Sequence, residues 1–157
     1  MRWIPIFCLL SFALFSACST TKSSKSTTST NTSRVNKKSE VVFERSETLS
    51  DVLDRAAVEN KLVFVDFYAT WCLPCKLMDE EVFTDRRVAQ FLNDNFLSYK
   101  IDAEKGNGPN LGLIYNVKSY PTLIFMDTKG RVIEQKEGAA FQTELIEMGQ
   151  RALNSQP

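Results

Sequence analysis

The sequence contains no histidine. Its absence removes the side chain that most readily exchanges a proton near neutral pH, and with it the commonest metal ligand. Cysteine is scarce as well. Of four in 157 residues, Cys8 and Cys18 lie in an apolar N-terminal stretch, and only Cys72 and Cys75 lie in the body of the chain. A zinc site built on that pair needs two more Cys or His ligands, which one chain cannot supply, so neither a metal nor another cofactor is expected. Net charge is lacking too: 19 Lys and Arg balance 19 Asp and Glu, with no basic stripe, which excludes a nucleic-acid partner. There are no internal repeats, and the length suits one domain with a sizeable core. The charge balance conceals an asymmetry. Residues 19–40 carry five basic groups against Glu40 alone, whereas residues 41–157 carry 13 basic and 18 acidic groups.

The first eighteen residues, MRWIPIFCLLSFALFSAC, combine one positive charge, an apolar run and a small-residue end. The run is too short to span a bilayer comfortably and reads as an export signal. Ordinary cleavage after Ala17 would place Phe15 where a small side chain is required. Phe15-Ser16-Ala17-Cys18 instead resembles a bacterial lipobox, with Phe15 in place of the usual Leu. The resemblance implies a signal peptide over residues 1–17, a lipid on Cys18 and a periplasm-facing, membrane-anchored protein of the cell envelope. Ser19 is not the aspartate that retains lipoproteins in the inner membrane, so the outer membrane is the expected site. Residues 18–40 are rich in Ser and Thr, and residues 19–33 offer nothing apolar to offset their ordering entropy. They are expected to form a disordered tether with a mean reach of roughly 25 Å.

From Val41 to Pro157 the pattern is that of one globular domain. Thr48 and Asp51 have the form of a capping box, and Leu49, Val52, Leu53 and Ala56 make an apolar helical face. Residues 62–69 form a nearly continuous apolar run, as in a strand buried on both faces. A helix is expected from Cys72 towards Glu81, with a further turn or two around residues 85–92, and a second strand over residues 96–101. A short helix should end near Asn116. Residues 122–126 and 131–135 flank Asp127-Thr128-Lys129-Gly130, a hairpin, and residues 141–153 close the chain as an amphipathic helix. This order indicates an α/β fold whose sheet is covered by helices on both faces.

Cys72-Leu73-Pro74-Cys75 follows the apolar run. A structural disulfide this tight closes too little chain to constrain the unfolded state. Half a zinc site lacks its other half. A dithiol that cycles between oxidised and reduced states fits the strand-to-helix context. At the start of a helix the Cys72 sulfur lies over unpaired N–H groups, which favour thiolate and make it the attacking group. Cys75, one turn on and more recessed, can resolve the mixed disulfide, and Pro74 is tolerated in the first turn. Asp66 stands inside the apolar run, where burial makes ionisation costly and raises its pKa towards a range useful for proton transfer with Cys75; a purely structural carboxyl is the other reading.

Trp71-Cys72-Leu73-Pro74-Cys75-Lys76, preceded by Val65-Asp66-Phe67-Tyr68-Ala69 and followed by Tyr120-Pro121-Thr122, resembles the thioredoxin family over residues 41–155. The resemblance implies a thioredoxin-like central mixed sheet flanked by helices, with Pro121 in cis facing the dithiol. It also implies that Tyr120 and Pro121 present backbone to an extended substrate, and that Trp71 shapes the docking surface beside the disulfide. Residues 75–85 are further similar to exported bacterial members and to the thioredoxin domain of membrane electron transporters. Two departures stand out. Leu73 replaces the glycine of cytosolic thioredoxins, and Ser98 falls where many relatives carry a charged residue near the buried aspartate.

Such a dithiol can act as reductase, oxidase or isomerase, and its potential decides. Leu73 and Pro74 bring no positive charge to stabilise a thiolate, which favours a reductase of protein disulfides, recharged in an exported compartment by a membrane-bound electron donor. A monomer is expected. The rival from another class is a tethered binding module that holds partners in the same groove without turnover.

Overall fold

A computed structural model describes residues 40–155. The expected signal peptide, lipidated Cys18 and tether up to residue 39 lie outside the described residues.

The sheet has four strands in the order β2-β1-β3-β4. Strand β1 (Leu62–Tyr68) runs parallel to β2 (Phe96–Asp102) and antiparallel to β3 (Thr122–Met126), which pairs antiparallel with β4 (Val132–Glu137). The parallel pair needs a crossover. This consists of α2 (Leu73–Leu77), a π-helical turn (Met78–Val82) and α3 (Arg86–Asn95). Helix α1 (Leu49–Glu59) precedes β1, α4 (Gly108–Ile114) lies between β2 and β3, and α5 (Gln142–Asn154) ends the fold.

Strand β1 is buried on both sides, and its alternation sorts the core into two layers. Val63, Val65 and Phe67 pack with Leu49, Val52 and Ala56 of α1, with Leu111 of α4 at the margin. Leu62 and Phe64 face the other way, towards Met78, Val82, Val88 and Leu92 of the crossover and Leu145 and Met148 of α5. Asp66 shares the phase of Phe64 and therefore points into this second layer. Phe64 and Phe125 stack at 4.9 Å between ring centroids there.

Local chemistry fixes the ends. Thr48 caps α1 by accepting the Asp51 N–H at 3.2 Å, and its hydroxyl donates to the Asp51 carboxylate at 2.7 Å. Asn60 ends that helix in the left-handed region at φ 53°. The hairpin is held by Asp127 Oδ1, which accepts the Lys129 and Arg131 N–H groups at 2.9 Å each, with Gly130 at φ 74°.

Two sequence expectations change in detail. The stretch around residues 85–92 is a full ten-residue helix, capped by Asp85 through the Arg87 and Val88 N–H groups. The helix after the cysteines stays α-helical only to Leu77. At the following π turn the Phe83 N–H bonds Met78 O, five residues back, at 2.9 Å. The wider turn lets Val82 and Phe83, adjacent in sequence, both point into the core while Asp79, Glu80 and Glu81 stay outside.

Candidate active site

Strand β1 delivers the chain to Ala69, and a tight turn follows in which the Cys72 N–H bonds Ala69 O at 3.1 Å. Cys72 is the N-cap of α2, and its sulfur accepts the Cys75 N–H at 3.2 Å. Pro74 sits in the first turn, where its missing N–H costs no helical bond. Cys72 and Cys75 are joined as a disulfide with their Cα atoms 5.3 Å apart. Both residues are 2% exposed, which corrects the expectation of an open Cys72 above a recessed Cys75. In the oxidised state the bond ties the two sulfurs together, and Ala69, Tyr68 and Tyr120 pack around them. What distinguishes the two sulfurs here is the backbone N–H on Cys72, not accessibility.

The rim is apolar and open. Trp71 is 67% exposed and Leu73 65%, while the Trp71 indole N–H donates to the Glu104 carboxylate at 3.0 and 3.1 Å. The Trp71 and Tyr120 rings meet edge-on at 6.0 Å, so Tyr120 connects the tryptophan to the disulfide cluster. The Tyr120–Pro121 peptide is cis, and Pro121 O accepts the Gly138 N–H at 2.7 Å. Thus Trp71, Cys72, Cys75 and Tyr120 are brought together, with Pro121 next in the chain.

Asp66 is fully buried. Its Oδ2 accepts a bond from Lys100 Nζ at 2.8 Å, and Lys100 reaches Asp79 Oδ1 at 2.5 Å. The ammonium also lies 5.0 Å from the Phe43 and Tyr68 ring centroids and 5.1 Å from that of Phe83. Asp66 Oδ1 has no hydrogen-bond partner among the described residues. Burial lifts the Asp66 carboxyl above the usual carboxylate range, and the Lys100 charge only partly opposes it. For Lys100 itself burial disfavours the charge, yet Asp66 and Asp79 more than offset it and hold its pKa above the ordinary value. Tyr68 belongs to both groups, with its ring on Lys100 and its edge among the packing around the cysteines.

The sequence reading missed Lys100 and misplaced the charged partner at position 98. Register explains the error: Ser98 pairs with Phe64, and Lys100 pairs with Asp66. The available signal was phase. Phe96, Ser98 and Lys100 share one side of β2, and a lysine on a covered side calls for a carboxylate across the ladder.

The thioredoxin-like domain model matches residues 49–153. The chain is 31% identical over 104 residues to the thiol:disulfide interchange protein DsbD of Actinobacillus pleuropneumoniae, covering 64% of this chain but only 18% of that protein. It is 34% identical over 99 residues to the thioredoxin of Mycoplasmoides gallisepticum, covering 61% of this chain and 89% of its relative. Among solved structures, a proposed disulphide-isomerase from Bacteroides thetaiotaomicron is 39% identical, with a TM-score of 0.66 over 75% of this chain and 97% of that one. The chain therefore belongs to the thioredoxin-like family of thiol-disulfide oxidoreductases, and Cys72 and Cys75 are its disulfide pair. It spans about a fifth of the length of the DsbD protein it matches.

Proposed function

We propose that this protein reduces protein disulfides in a bacterial cell envelope. The observation that carries the reading is the Cys72–Cys75 disulfide at the head of α2, with an uncharged Leu73-Pro74 link and with Tyr68 packed both on the disulfide and on Lys100, the partner of buried Asp66. In the reduced protein the Cys72 thiolate attacks one sulfur of a substrate disulfide. A mixed disulfide forms and one substrate thiolate leaves, taking up a proton. Cys75 then gives its proton to Asp66 and attacks the Cys72 sulfur. The second substrate sulfur leaves as thiolate and takes up a proton, and the Cys72–Cys75 bond of the structure results. The substrate is oxidant in this exchange, and two electrons from a membrane-bound donor restore the dithiol.

Trp71, Tyr120 and Pro121 receive the substrate as an extended segment. The exposed Trp71 and Leu73 supply apolar contact, and the backbone before Pro121 supplies pairing. A signal peptide over residues 1–17 directs export and is removed, and the lipid on Cys18 with the tether to residue 40 then holds a monomeric domain at the membrane, the outer membrane in preference to the inner.

An isomerase reading is favoured by one observation, the likeness to the Bacteroides protein described as a disulphide-isomerase. Two assays separate the alternatives. Insulin reduction with dithiothreitol should turn over and vanish in Cys72→Ser. Reactivation of scrambled ribonuclease at a comparable rate would instead assign isomerisation. A folded protein with neither activity would be a binding module.

A further inference from the structure

Lys100 is enclosed more completely than an ion pair requires. Three ring faces surround its ammonium, and they come from three separate parts of the chain. Tyr68 ends β1, Phe83 follows the π turn, and Phe43 belongs to a short strap before α1. The strap is fastened independently of the rings. The Val41 N–H bonds Phe83 O at 2.8 Å, and the Glu44 N–H bonds Ser98 O at 2.8 Å. Asn93 of α3 grips it from the side, accepting the Val42 N–H at 2.9 Å and donating to Glu40 O at 3.0 Å. Phe43 itself bridges to Ser98 and meets the Phe83 ring edge-on at 5.1 Å. These contacts leave the Phe43 ring little choice but to lie over the ammonium.

We infer that Phe43 is a positioning residue for the redox centre: the N-terminal strap uses its ring to press the Lys100 ammonium against Asp66, and so sets the readiness of that carboxyl to take a proton. The inference rests on the proposed reading only for its consequence, since the geometry stands without it. Without the ring, Lys100 would open to water on that side and have Asp79, itself half exposed, to follow outward. Asp66 is fully buried, so losing the nearby positive charge favours its neutral form. The titratable groups facing the pair are few. Asp66 and the neutral phenol of Tyr68 come from β1, Asp79 from the π turn and Lys100 from β2, whereas Glu44 is paired to Arg55. Loosening the strap should therefore shift the Asp66 titration upward.

The test is carbon-13 NMR of the Asp66 carboxyl in the full-length oxidised protein, where neither cysteine titrates and no activity is needed. Phe43→Leu keeps an apolar side chain and removes the ring face, and should raise the Asp66 midpoint by about half a pH unit, the lower end of one cation–ring contact. Phe43→Tyr should restore the wild-type midpoint. Asn93→Ala loosens the strap without touching the rings and should move the midpoint the same way, and it carries the test if Phe43→Leu folds poorly. The decisive comparison uses Lys100→Met. In that background Phe43→Leu should have no further effect. An unchanged midpoint in Phe43→Leu and Asn93→Ala, or a shift of equal size in the Lys100→Met background, would overturn the assignment and leave Phe43 as packing alone. Failure of the insulin assay would sink the reductase reading without touching this result.

Discussion

Replacing Lys100 by methionine gives a sharp test of the buried pair. Methionine keeps the length and apolar stem of the side chain and removes only the charge. The Nζ to Asp66 Oδ2 bond is 2.8 Å long, and its acceptor is fully buried, so no water can substitute for it. The bond to Asp79 matters less, because that carboxylate is half exposed and rehydrates. In acid the lost bond runs to a neutral carboxyl and costs about 1 kcal/mol. On the alkaline side it runs to a carboxylate and costs about 3 kcal/mol. The difference arises from one group. The folded-state pKa of Asp66 is raised, so its stabilising effect is fullest below the unfolded pKa and is lost as pH rises through the folded value. The variant raises that folded value further. Its extra cost is then flat in acid, grows by about 1.4 kcal/mol per pH unit between the wild-type and variant midpoints, and is flat again above them. A total difference of about 2 kcal/mol implies a window of roughly 1.5 pH units. Urea unfolding of oxidised wild type and Lys100→Met across a pH series measures this directly. A cost independent of pH would refute the pairing, and a cost shrinking towards high pH would refute its sign.

Asp66→Asn should fold and gain stability over wild type as pH rises, since the carboxyl whose ionisation burial opposes is gone, while dithiol exchange near neutral pH slows; equal exchange rates from pH 6 to 9 would make Asp66 structural only. Cys75→Ala, expressed in its native compartment, should accumulate mixed disulfides that disappear on reduction, and Cys72→Ala should accumulate few; the reverse pattern on non-reducing gels would exchange the two roles. Cys72→Ser should retain more stability than Cys72→Ala by about 1 kcal/mol in reducing buffer, because a hydroxyl can still accept the Cys75 N–H, and equal melting points would deny the cap. Fatty-acid labelling should fail in Cys18→Ala, and equal labelling of wild type would show that Cys18 carries no lipid.

The parts of this site that lie close in sequence were readable. Two cysteines at a strand-to-helix junction, with an aspartate interrupting an apolar run, announce their chemistry because every group sits within ten residues. Lys100 is 34 residues from Asp66 and is found only through the pairing register, which a two-residue slip assigns to Ser98. The π turn left no mark because hydrophobic periodicity registers faces, not an added residue in one turn. Met78, Val82 and Phe83 are all buried, a spacing that an ordinary helix also approximates. The strap escaped notice for a different reason. Val41 and Phe43 are too few to show a period, and their value depends on Phe83, Ser98 and Asn93 meeting them from elsewhere. The burial of Cys72 was missed because a helix start reads as open in sequence, whereas Tyr68 and Tyr120 pack against it in the fold.

The strap also bears on how copies of this protein tolerate crowding. A sheet ending in a bare strand offers its free N–H and C=O groups to any neighbour. On the β2 side the strap occupies part of that position, with the Glu44 N–H taking Ser98 O. The β4 side is guarded differently. Its ladder slips at Phe125/Met126, and Glu134, Lys136 and Glu137 line it with charge, Glu134 paired to Arg151 and Lys136 to Glu144 across α5. An incoming strand would have to displace backbone bonds on one flank or bury charge on the other. The segment that steadies Lys100 thus also discourages neighbouring domains from joining their sheets into aggregates.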